Sequence, residues 1–234
     1  MFINYAHRGA SEYAAQNTLA AFYLGLACQA NGIETDIRRT ADGKLILFHD
    51  KTLDATTNGS GLVSEHNWEE LRFLTVYGKI VNDRILTFEE FLERFSFRDL
   101  QFAIELKQKG LEEDVSHLIY EYSMQDKVII TSFSYEFLKK MRDYSPKLKI
   151  GWLTKDIESD TVKKLKSISG QQICPKAELL NTESVAWLKS EGFSVRAWGV
   201  SDTTLMENCV NAGVDGMTVN FPDLLYKYLE KINT

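Results

Sequence analysis

Short apolar runs alternate along the chain with longer segments in which apolar residues recur every three or four positions. The short runs are rich in β-branched residues, which is typical of strands buried in a parallel sheet. The longer segments have the spacing of amphipathic helices. This pattern predicts eight strands, at 3–6, 32–37, 102–106, 128–131, 149–153, 171–174, 195–198 and 216–219. The helices predicted after them lie at 19–30, 88–95, 111–123, 135–144, 160–168, 182–191, 203–212 and 224–232.

Eight strands that are each followed by a helix predict an α/β fold, the (β/α)8 TIM barrel, because parallel strands joined by helices close into a barrel at this number. The 234 residues of the chain agree with the roughly 250 that are typical of such barrels. An open doubly wound sheet is the competing architecture, although it usually has six strands. We expect one catalytic domain over 1–234, with a small inserted subdomain at about 51–87, after the second strand. That segment is rich in turn-forming residues and contains one predicted short helix at 64–74.

The composition, with 44% hydrophobic and 26% charged residues, is that of an ordinary globular protein. The net charge of −6, without a cluster of Lys and Arg, argues against nucleic acid as a partner. Cys28, Cys174 and Cys209 are too scattered to indicate a disulfide framework or a zinc site. No segment has the roughly 18 consecutive apolar residues of a membrane span, and the first residues do not resemble a signal peptide. We therefore expect a cytoplasmic monomer or homodimer with no membrane span.

Glu34 and Asp36 lie two positions apart in the second predicted strand, so their side chains point to the same face. Two neighbouring carboxylates repel each other unless a divalent cation lies between them. An isolated pair of this kind is more often exposed on an edge strand, and that alternative stays open here. Glu105, near the end of the third strand, adds a third carboxylate. An all-oxygen ligand set favours Mg²⁺ or Ca²⁺ over zinc.

Other residues of chemical interest also lie at the C-terminal ends of predicted strands, where barrels of this kind carry their active sites. His7 and Arg8 follow the first strand, and His49 follows a short apolar run. Lys107 follows the third strand and Trp198 ends the seventh. An imidazole, with an unperturbed pKa of about 6.5, can accept and donate a proton near neutral pH. These positions are therefore candidates for chemistry at the rim of the predicted barrel.

Several further residues are expected to have ordinary structural roles. His117 is predicted to be a surface histidine, and Phe133 to belong to the core. Asp50 is predicted to be a turn residue. The pair Asn17 and Thr18 is predicted to cap the first helix.

A series of short motifs follows one order over nearly the full chain. The motifs are His7-Arg8-Gly9, Asn17-Thr18-Leu19-Ala20-Ala21-Phe22, Glu34-x-Asp36, Asp42-Gly43-x-Leu45 with His49-Asp50, Thr52-Leu53-Asp54, Thr56-Thr57-Asn58-Gly59-Ser60-Gly61, Glu105-Leu106-Lys107, Ser132-Phe133, and Gly213-Val214-Asp215-Gly216 with Pro222. Each motif is weak by itself, whereas the ordered set is specific. In this order the motifs resemble those of the glycerophosphodiester phosphodiesterase family.

The resemblance implies a hydrolase that uses a divalent metal ion to cleave small-molecule glycerophosphodiesters into sn-glycerol 3-phosphate and an alcohol. The implied roles are metal binding by Glu34, Asp36 and Glu105, acid/base catalysis by His7 and His49, and phosphate contact by Arg8 and Lys107. Trp198 either lines the substrate pocket and packs on glycerol or serves only in packing. Two routes are compatible with these roles: attack by the substrate's own glycerol hydroxyl, which gives a cyclic intermediate, or direct attack by water.

Five positions depart from the residues usual in that family: Ala15, Gln16, Ala55, Gly199 and Asn220. Gln16 replaces a glutamate and Asn220 an aspartate, so we expect effects on substrate preference and efficiency more than on activity itself. Two other functions are compatible with the sequence. One is a lysophospholipase D-like hydrolase, although no amphipathic or strongly apolar segment indicates a lipid-facing surface. The other is a barrel that binds a phosphate ester without hydrolysing it, which the two histidines disfavour.

Overall fold

A computed structural model of the chain describes residues 1–232. The strands are β1 (Ile3–His7), β2 (Gly32–Arg39), β3 (Leu45–Leu47), β4 (Thr75–Val76), β5 (Asp83–Arg84), β6 (Leu86–Thr87), β7 (Gln101–Leu106), β8 (Val128–Ser132), β9 (Lys149–Thr154), β10 (Gln172–Pro175), β11 (Ser194–Ala197) and β12 (Gly216–Val219). The α-helices are α1 (Leu19–Ala27), α2 (Trp68–Leu71), α3 (Phe88–Phe95), α4 (Glu112–Glu121), α5 (Tyr135–Tyr144), α6 (Ser159–Ser167), α7 (Thr182–Ser190), α8 (Thr203–Asn211) and α9 (Pro222–Ile232). Short 3₁₀ helices lie at Val63–Glu65 and Ala177–Leu179.

Eight parallel strands form a closed barrel: β1, β2 and β7 to β12. They pair in the order β1, β12, β11, β10, β9, β8, β7 and β2, and β2 pairs back with β1. Because β1 is paired on both sides, the sheet has no free edge there, and the open doubly wound alternative is wrong. The predicted (β/α)8 barrel is confirmed, and the predicted ends of its strands lie within two residues of those observed.

The first helix is shorter than its apolar spacing predicts, since α1 ends at Ala27. Gln29 adopts a left-handed backbone conformation with φ of 62°. The amide of Ala30 donates to the carbonyl of Gly25, and that of Gln29 to Leu26. These two bonds close the helix in a Schellman arrangement and turn the chain into β2.

Among the helices of residues 1–232, none combines the length and the apolar character that crossing a membrane requires.

Between β2 and β7 the chain builds a small unit outside the barrel. β3 pairs antiparallel with the end of β2, β6 pairs with β3, and β4 and β5 form a two-stranded ribbon. This unit has its own buried cluster, formed by Ala15, Ile46, Phe48, Leu53, Val63, Leu71, Val76 and Ile85. This cluster is separate from the main core of the barrel, and the subdomain at 51–87 stays a prediction.

The single helix predicted at 64–74 is wrong. A 3₁₀ helix at Val63–Glu65 is followed by the one-turn helix α2, and the chain between them is not helical. Asn67 starts α2, because its backbone N–H donates to the Glu70 carboxylate at 2.8 Å in a capping box. The cap therefore begins a new helix at a position where apolar spacing alone predicts continuity.

Helix α3 joins the helical layer to the barrel through aromatic contacts. Phe91 and Phe95 are fully buried on its inner face. The ring of Phe91 lies 5.0 Å from that of Phe22 on α1 and 5.9 Å from that of Phe102 on β7, both edge to face. Edge-to-face ring pairs stabilise a core in addition to the stabilisation that comes from burying their apolar surface.

We predict that Phe91→Ala lowers the free energy of unfolding by about 3–5 kcal/mol, because it opens a cavity among four rings. Phe97, whose side chain is 73% exposed, provides the matched control, and Phe97→Ala is expected to change stability by about 0.5 kcal/mol or less. Urea unfolding followed by circular dichroism measures both. Equal losses in the two variants would contradict the assignment of the aromatic core.

Candidate active site

Three carboxylates meet at the C-terminal rim of the barrel. Glu34 and Asp36 lie on β2, Glu105 lies on β7, and Asp36 is the register partner of Glu105. Each residue offers an oxygen within 4.8 Å of the others. The residues are 3%, 0% and 6% exposed, respectively, so the alternative of exposed edge-strand carboxylates is wrong. We call these three residues the acidic trio.

The acidic trio has the donor chemistry of a site for a hard divalent cation. Oxygens bound to one Mg²⁺ or Ca²⁺ at about 2.0–2.6 Å lie within about 5 Å of one another, as these three do. Oδ1 of Asp36 is buried and makes no hydrogen bond, since the ammonium of Lys107 lies 3.6 Å from it. Buried polar atoms without a partner are rare, and an ion is one of the groups that satisfy them. Glu34, Asp36 and Glu105 therefore fit a divalent cation.

Burial and mutual repulsion shift the ionisation of the acidic trio. Burial first, and the Asp36 charge second, raise the pKa of Glu34 and of Glu105. Burial also acts to raise the pKa of Asp36, but Arg8 and Lys107 outweigh it and hold that pKa below its usual range. Asp36 is therefore ionised near neutral pH. Glu34 and Glu105 keep their protons to a higher pH than ordinary carboxyls do.

Two cations flank the trio. Arg8 Nε lies 3.1 Å from Oδ2 of Asp36, and one Arg8 terminal nitrogen donates to Oε1 of Gln16 at 2.6 Å. Lys107 Nζ donates to Oε1 of Glu105 at 2.8 Å and lies 3.6 Å from Oδ1 of Asp36. These contacts place both positive charges at the rim, next to the oxygens that a cation would share.

The loop after β1 holds Arg8 in an unusual conformation. Arg8 has φ of 55° and Gly9 has φ of 84°. The amide of Arg8 donates to the carbonyl of Glu34 at 2.9 Å. A Cβ at Gly9 would lie 2.4 Å from the backbone carbon of Ala21, so only glycine fits between the loop and α1. This close approach holds the loop against α1, and Asp36 and Gln16 orient the guanidinium of Arg8.

Asn17 supports the trio from behind, a role that the sequence did not indicate. Its amide nitrogen donates to Oδ2 of Asp36 at 3.0 Å, and its amide oxygen accepts from Oγ1 of Thr35 at 2.7 Å. Asn17 therefore is not the helix cap. Thr18 alone caps α1, with its side chain accepting from the amide of Ala21. The only local sign of the supporting role is the left-handed backbone of Asn17, with φ of 59°.

Each of the two histidines has its Nδ1 bonded to an oxygen. His7 Nδ1 lies 2.6 Å from Oδ1 of Asn220, and His49 Nδ1 lies 2.7 Å from Oδ1 of Asp50. Because these oxygens accept hydrogen bonds, both rings carry their hydrogen on Nδ1 and present Nε2 for proton transfer. Burial, with Arg8 adding to it, lowers the pKa of His7 to about 3. Burial also lowers the pKa of His49, so both imidazoles are neutral at pH 7.

Asp50, which the sequence assigned to a turn, thus orients His49. Arg38 adds a second restraint, because its guanidinium donates to the backbone oxygen of His49 at 2.9 and 2.7 Å. The position of Asp50 directly after His49 is a signal that sequence reasoning could have used. Asn220 departs from the family pattern, but the sequence does not indicate its contact with His7, which lies 213 residues away.

A cavity of about 440 Å³ opens at this rim, within the range of small-molecule sites. Six of the eight predicted site residues line it: His7, Arg8, Glu34, His49, Glu105 and Trp198. Asp36 and Lys107 lie directly behind them, in contact with Arg8 and Glu105. The structure therefore brings all eight predicted residues to one place.

The cavity has an aromatic wall. Phe133, predicted for the core, is 39% exposed, and its ring lies 4.8 Å from Trp198 in an edge-to-face contact. Trp198 is fixed in turn, because its indole N–H donates to the carbonyl of Thr154 at 3.0 Å. The prediction for Phe133 is wrong because it follows β8 at the rim, where the strand ends and its side chain reaches the cavity.

A buried cation lies inside the barrel next to the cavity. Arg196 is 1% exposed and donates to Oε1 of Gln172 at 3.0 Å and to Oγ1 of Thr218 at 2.7 Å. Its guanidinium also lies 5.1 Å from the centre of the Tyr5 ring. The positive charge of Arg196 acts to lower the pKa of Glu34. Sequence reasoning gave Arg196 no role.

A second, smaller cavity of about 210 Å³ shares His7 and Arg8 with the first. Its other wall comes from the inserted segment, at Tyr77, Gly78 and Lys79. The inserted segment therefore lies beside the mouth of the barrel, next to the predicted acid/base residue His7.

Comparisons with known proteins show which family the chain resembles over its length. The sequence model of the glycerophosphoryl diester phosphodiesterase family matches residues 7–224. A glycerophosphodiester phosphodiesterase of Caldanaerobacter subterraneus is 33% identical over 97% of each chain. One of Bacillus subtilis is 32% identical over 95% of this chain and 84% of its own. The structure of an Oleispira antarctica phosphodiesterase in complex with the product sn-glycerol-3-phosphate is 26% identical, with a TM-score of 0.88 over 97% of this chain and 96% of the other.

Metal binding to the acidic trio is expected to release protons and to strengthen between about pH 5 and pH 8. The pKa values of Glu34 and Glu105 are raised, so these carboxyls hold protons at the acid end of that interval and must lose them to bind an ion. Isothermal titration calorimetry with Mg²⁺ or Ca²⁺, in two buffers of different ionisation enthalpy, measures the affinity and the protons released.

Glu34→Gln is expected to weaken this binding by about tenfold or more, since losing a ligand costs at least as much as losing a supporting hydrogen bond. Glu113→Gln, at an exposed position on α4, is the matched control and should bind as the unmodified chain does. Binding that neither depends on pH nor releases protons would contradict the assignment of the trio.

Proposed function

Because the chain belongs to the glycerophosphoryl diester phosphodiesterase family, we propose that it hydrolyses glycerophosphodiesters to sn-glycerol 3-phosphate and an alcohol. The reaction uses a divalent metal ion, Mg²⁺ or Ca²⁺, and two histidines as the acid/base pair. One observation carries this proposal: two members of the buried acidic trio, Glu34 and Glu105, line the same cavity as His7 and His49. The product complex of the Oleispira relative supports sn-glycerol 3-phosphate as the product.

Hydrolysis of a phosphodiester requires neutralisation of charge on the non-bridging oxygens, a deprotonated nucleophile and a proton for the leaving alkoxide. A divalent ion held by Glu34, Asp36 and Glu105 would supply the positive charge against the phosphate. Arg8 and Lys107 add two cations at the same rim. We assign both to contact with the phosphate oxygens, Arg8 as a fork of donors and Lys107 as a point charge.

The two histidines have different partners, which separates their roles. Asn220 is a neutral amide, and burial holds the pKa of His7 low, so His7 stays unprotonated and serves as the general base through Nε2. Asp50 is a carboxylate, and its hydrogen bond acts to raise the pKa of His49. A carboxylate stabilises an imidazolium better than an amide does, so His49 is the histidine that more readily takes up a proton from solvent at Nε2. In that protonated form His49 is the general acid, and giving the proton to the leaving alkoxide returns it to the neutral imidazole.

The same two proton transfers serve either nucleophile. Attack by the substrate's glycerol hydroxyl gives a cyclic phosphate that water then opens, and direct attack by water gives the product in one step. In both routes His7 takes the proton of the attacking hydroxyl. We propose that Trp198 and Phe133 pack against the carbon chain of the bound diester, because together they form the apolar wall of the cavity.

The proposal is tested by a coupled assay for sn-glycerol 3-phosphate with glycerophosphocholine, glycerophosphoethanolamine and glycerophosphoglycerol. We expect release of product with Mg²⁺ or Ca²⁺ and its loss with EDTA, restored by excess metal. Activity that survives exhaustive chelation would contradict metal dependence. If the protein binds a diester but hydrolyses none of the three, its function would be to bind a phosphate ester without hydrolysing it.

We predict that His7→Ala and His49→Ala each lower kcat by about 10²–10⁴, the range for lost acid/base catalysis. His117→Ala is the control, since its side chain is 78% exposed on α4, and it should keep full activity. Thermal unfolding of the three variants shows whether the fold is retained. Full activity in a folded His7→Ala or His49→Ala variant would remove that histidine from the mechanism.

A further inference from the structure

The lysines around the two cavities differ in whether they have an acidic partner. Lys107 forms an ion pair with Glu105, Lys79 with Glu12 and Lys176 with Glu178. Lys155 lies at the mouth of the larger cavity, directly after β9, and is exposed. Within residues 1–232 its ammonium makes no ion pair with a carboxylate. Its charge is therefore available to a ligand.

The ring of Phe133 links this lysine to the proposed phosphate site. Lys155 Nζ lies 6.0 Å from the ring centre, and so does Lys107 Nζ. Because both distances are measured to the same ring centre, the two ammonium groups lie at most about 12 Å apart. A substrate arm that ran from a phosphate at Lys107 across the ring of Phe133 would reach Lys155.

The same contacts disfavour a cationic group on the substrate at this wall. An aromatic ring attracts an ammonium ion through its face, but the protein's own lysines already lie at that distance from Phe133. A positive group there would also meet repulsion from Lys155.

We propose that Lys155 selects the alcohol arm of the substrate by charge, favouring diesters whose alcohol bears a carboxylate or phosphate over those whose alcohol bears an ammonium. This inference rests on the proposed diesterase function. The glycerol arm has no ionisable group, so the alcohol is the arm whose charge can differ between substrates. Lys155 is a specificity-determining residue, separate from the acid/base and metal-binding groups.

The test uses three diesters of glycerol 3-phosphate that differ only in the end group of a three-carbon alcohol. The alcohols are 3-hydroxypropanoate, 1,3-propanediol and 3-amino-1-propanol, which are anionic, neutral and cationic at pH 7. Exposed ion pairs contribute about 0.2–1 kcal/mol. We therefore expect kcat/KM to fall in that order, by about threefold at each step and about tenfold over the series.

Charge reversal provides the decisive variant. Lys155→Glu is expected to invert the order, and Lys155→Gln to reduce the spread to about twofold. Lys140→Gln, which removes one exposed lysine from α5 on the outer layer, should leave the order and spread as they are. Raising the salt concentration to about 1 M should shrink the spread in the unmodified chain, because exposed charges are screened. A loss of packing alone would neither invert the order nor respond to salt.

Binding measurements separate this inference from the proposed function. The affinity of the three diesters for the His49→Ala variant is measured by calorimetry and is expected to follow the same order. Equal values of kcat/KM and of affinity across the series would overturn charge selection while leaving the diesterase function in place. An order that persists unchanged in Lys155→Glu would also overturn it. If none of the diesters is hydrolysed but their affinities fall in the predicted order, the proposed function fails and selection by Lys155 stands.

Discussion

Three carboxylates buried within 4.8 Å of one another are the constraint on which the rest of the site depends. Their burial and mutual repulsion oppose ionisation, and a protein keeps such charges only where opposite charges or a metal ion compensate them. The cations that surround the trio compensate its negative charge. Arg8 and Lys107 contact it at the rim, and Arg196 acts from inside the barrel.

The barrel makes this arrangement possible through the register of its strands. β2 lies between β1 and β7, so His7 is paired with Glu34 on one side and Asp36 with Glu105 on the other. Because all three strands are parallel, their C-terminal ends reach the same rim, and side chains two positions apart face the same cavity. A one-residue slip of β2 would turn Glu34 and Asp36 away from the cavity together.

The proposed chemistry and the proposed selectivity have different origins in the fold. The acidic trio lies on strands, where backbone pairing on both sides holds each ligand in place. Lys155, Phe133 and Trp198 follow the ends of β9, β8 and β11, where the connections vary without disturbing the barrel. A division of this kind lets the reacting centre stay fixed while the wall beside it sets which alcohol is accepted.

The sequence by itself determined the barrel and the set of residues at its rim. The spacing of apolar residues indicates directly which face of a strand or helix is buried. Two pairs of residues, Glu34 with Asp36 and Glu105 with Lys107, lie two positions apart on a strand, so strand geometry predicts that the side chains of each pair point the same way. Only the tertiary structure decided how those residues are supported. Asn17 behind Asp36, Asn220 on His7 and Arg196 inside the barrel depend on contacts between distant segments, and the exposure of Phe133 depends on where β8 ends. Such contacts produce no repeating pattern in the sequence, because each joins one pair of positions and only the fold determines how far apart they are along the chain.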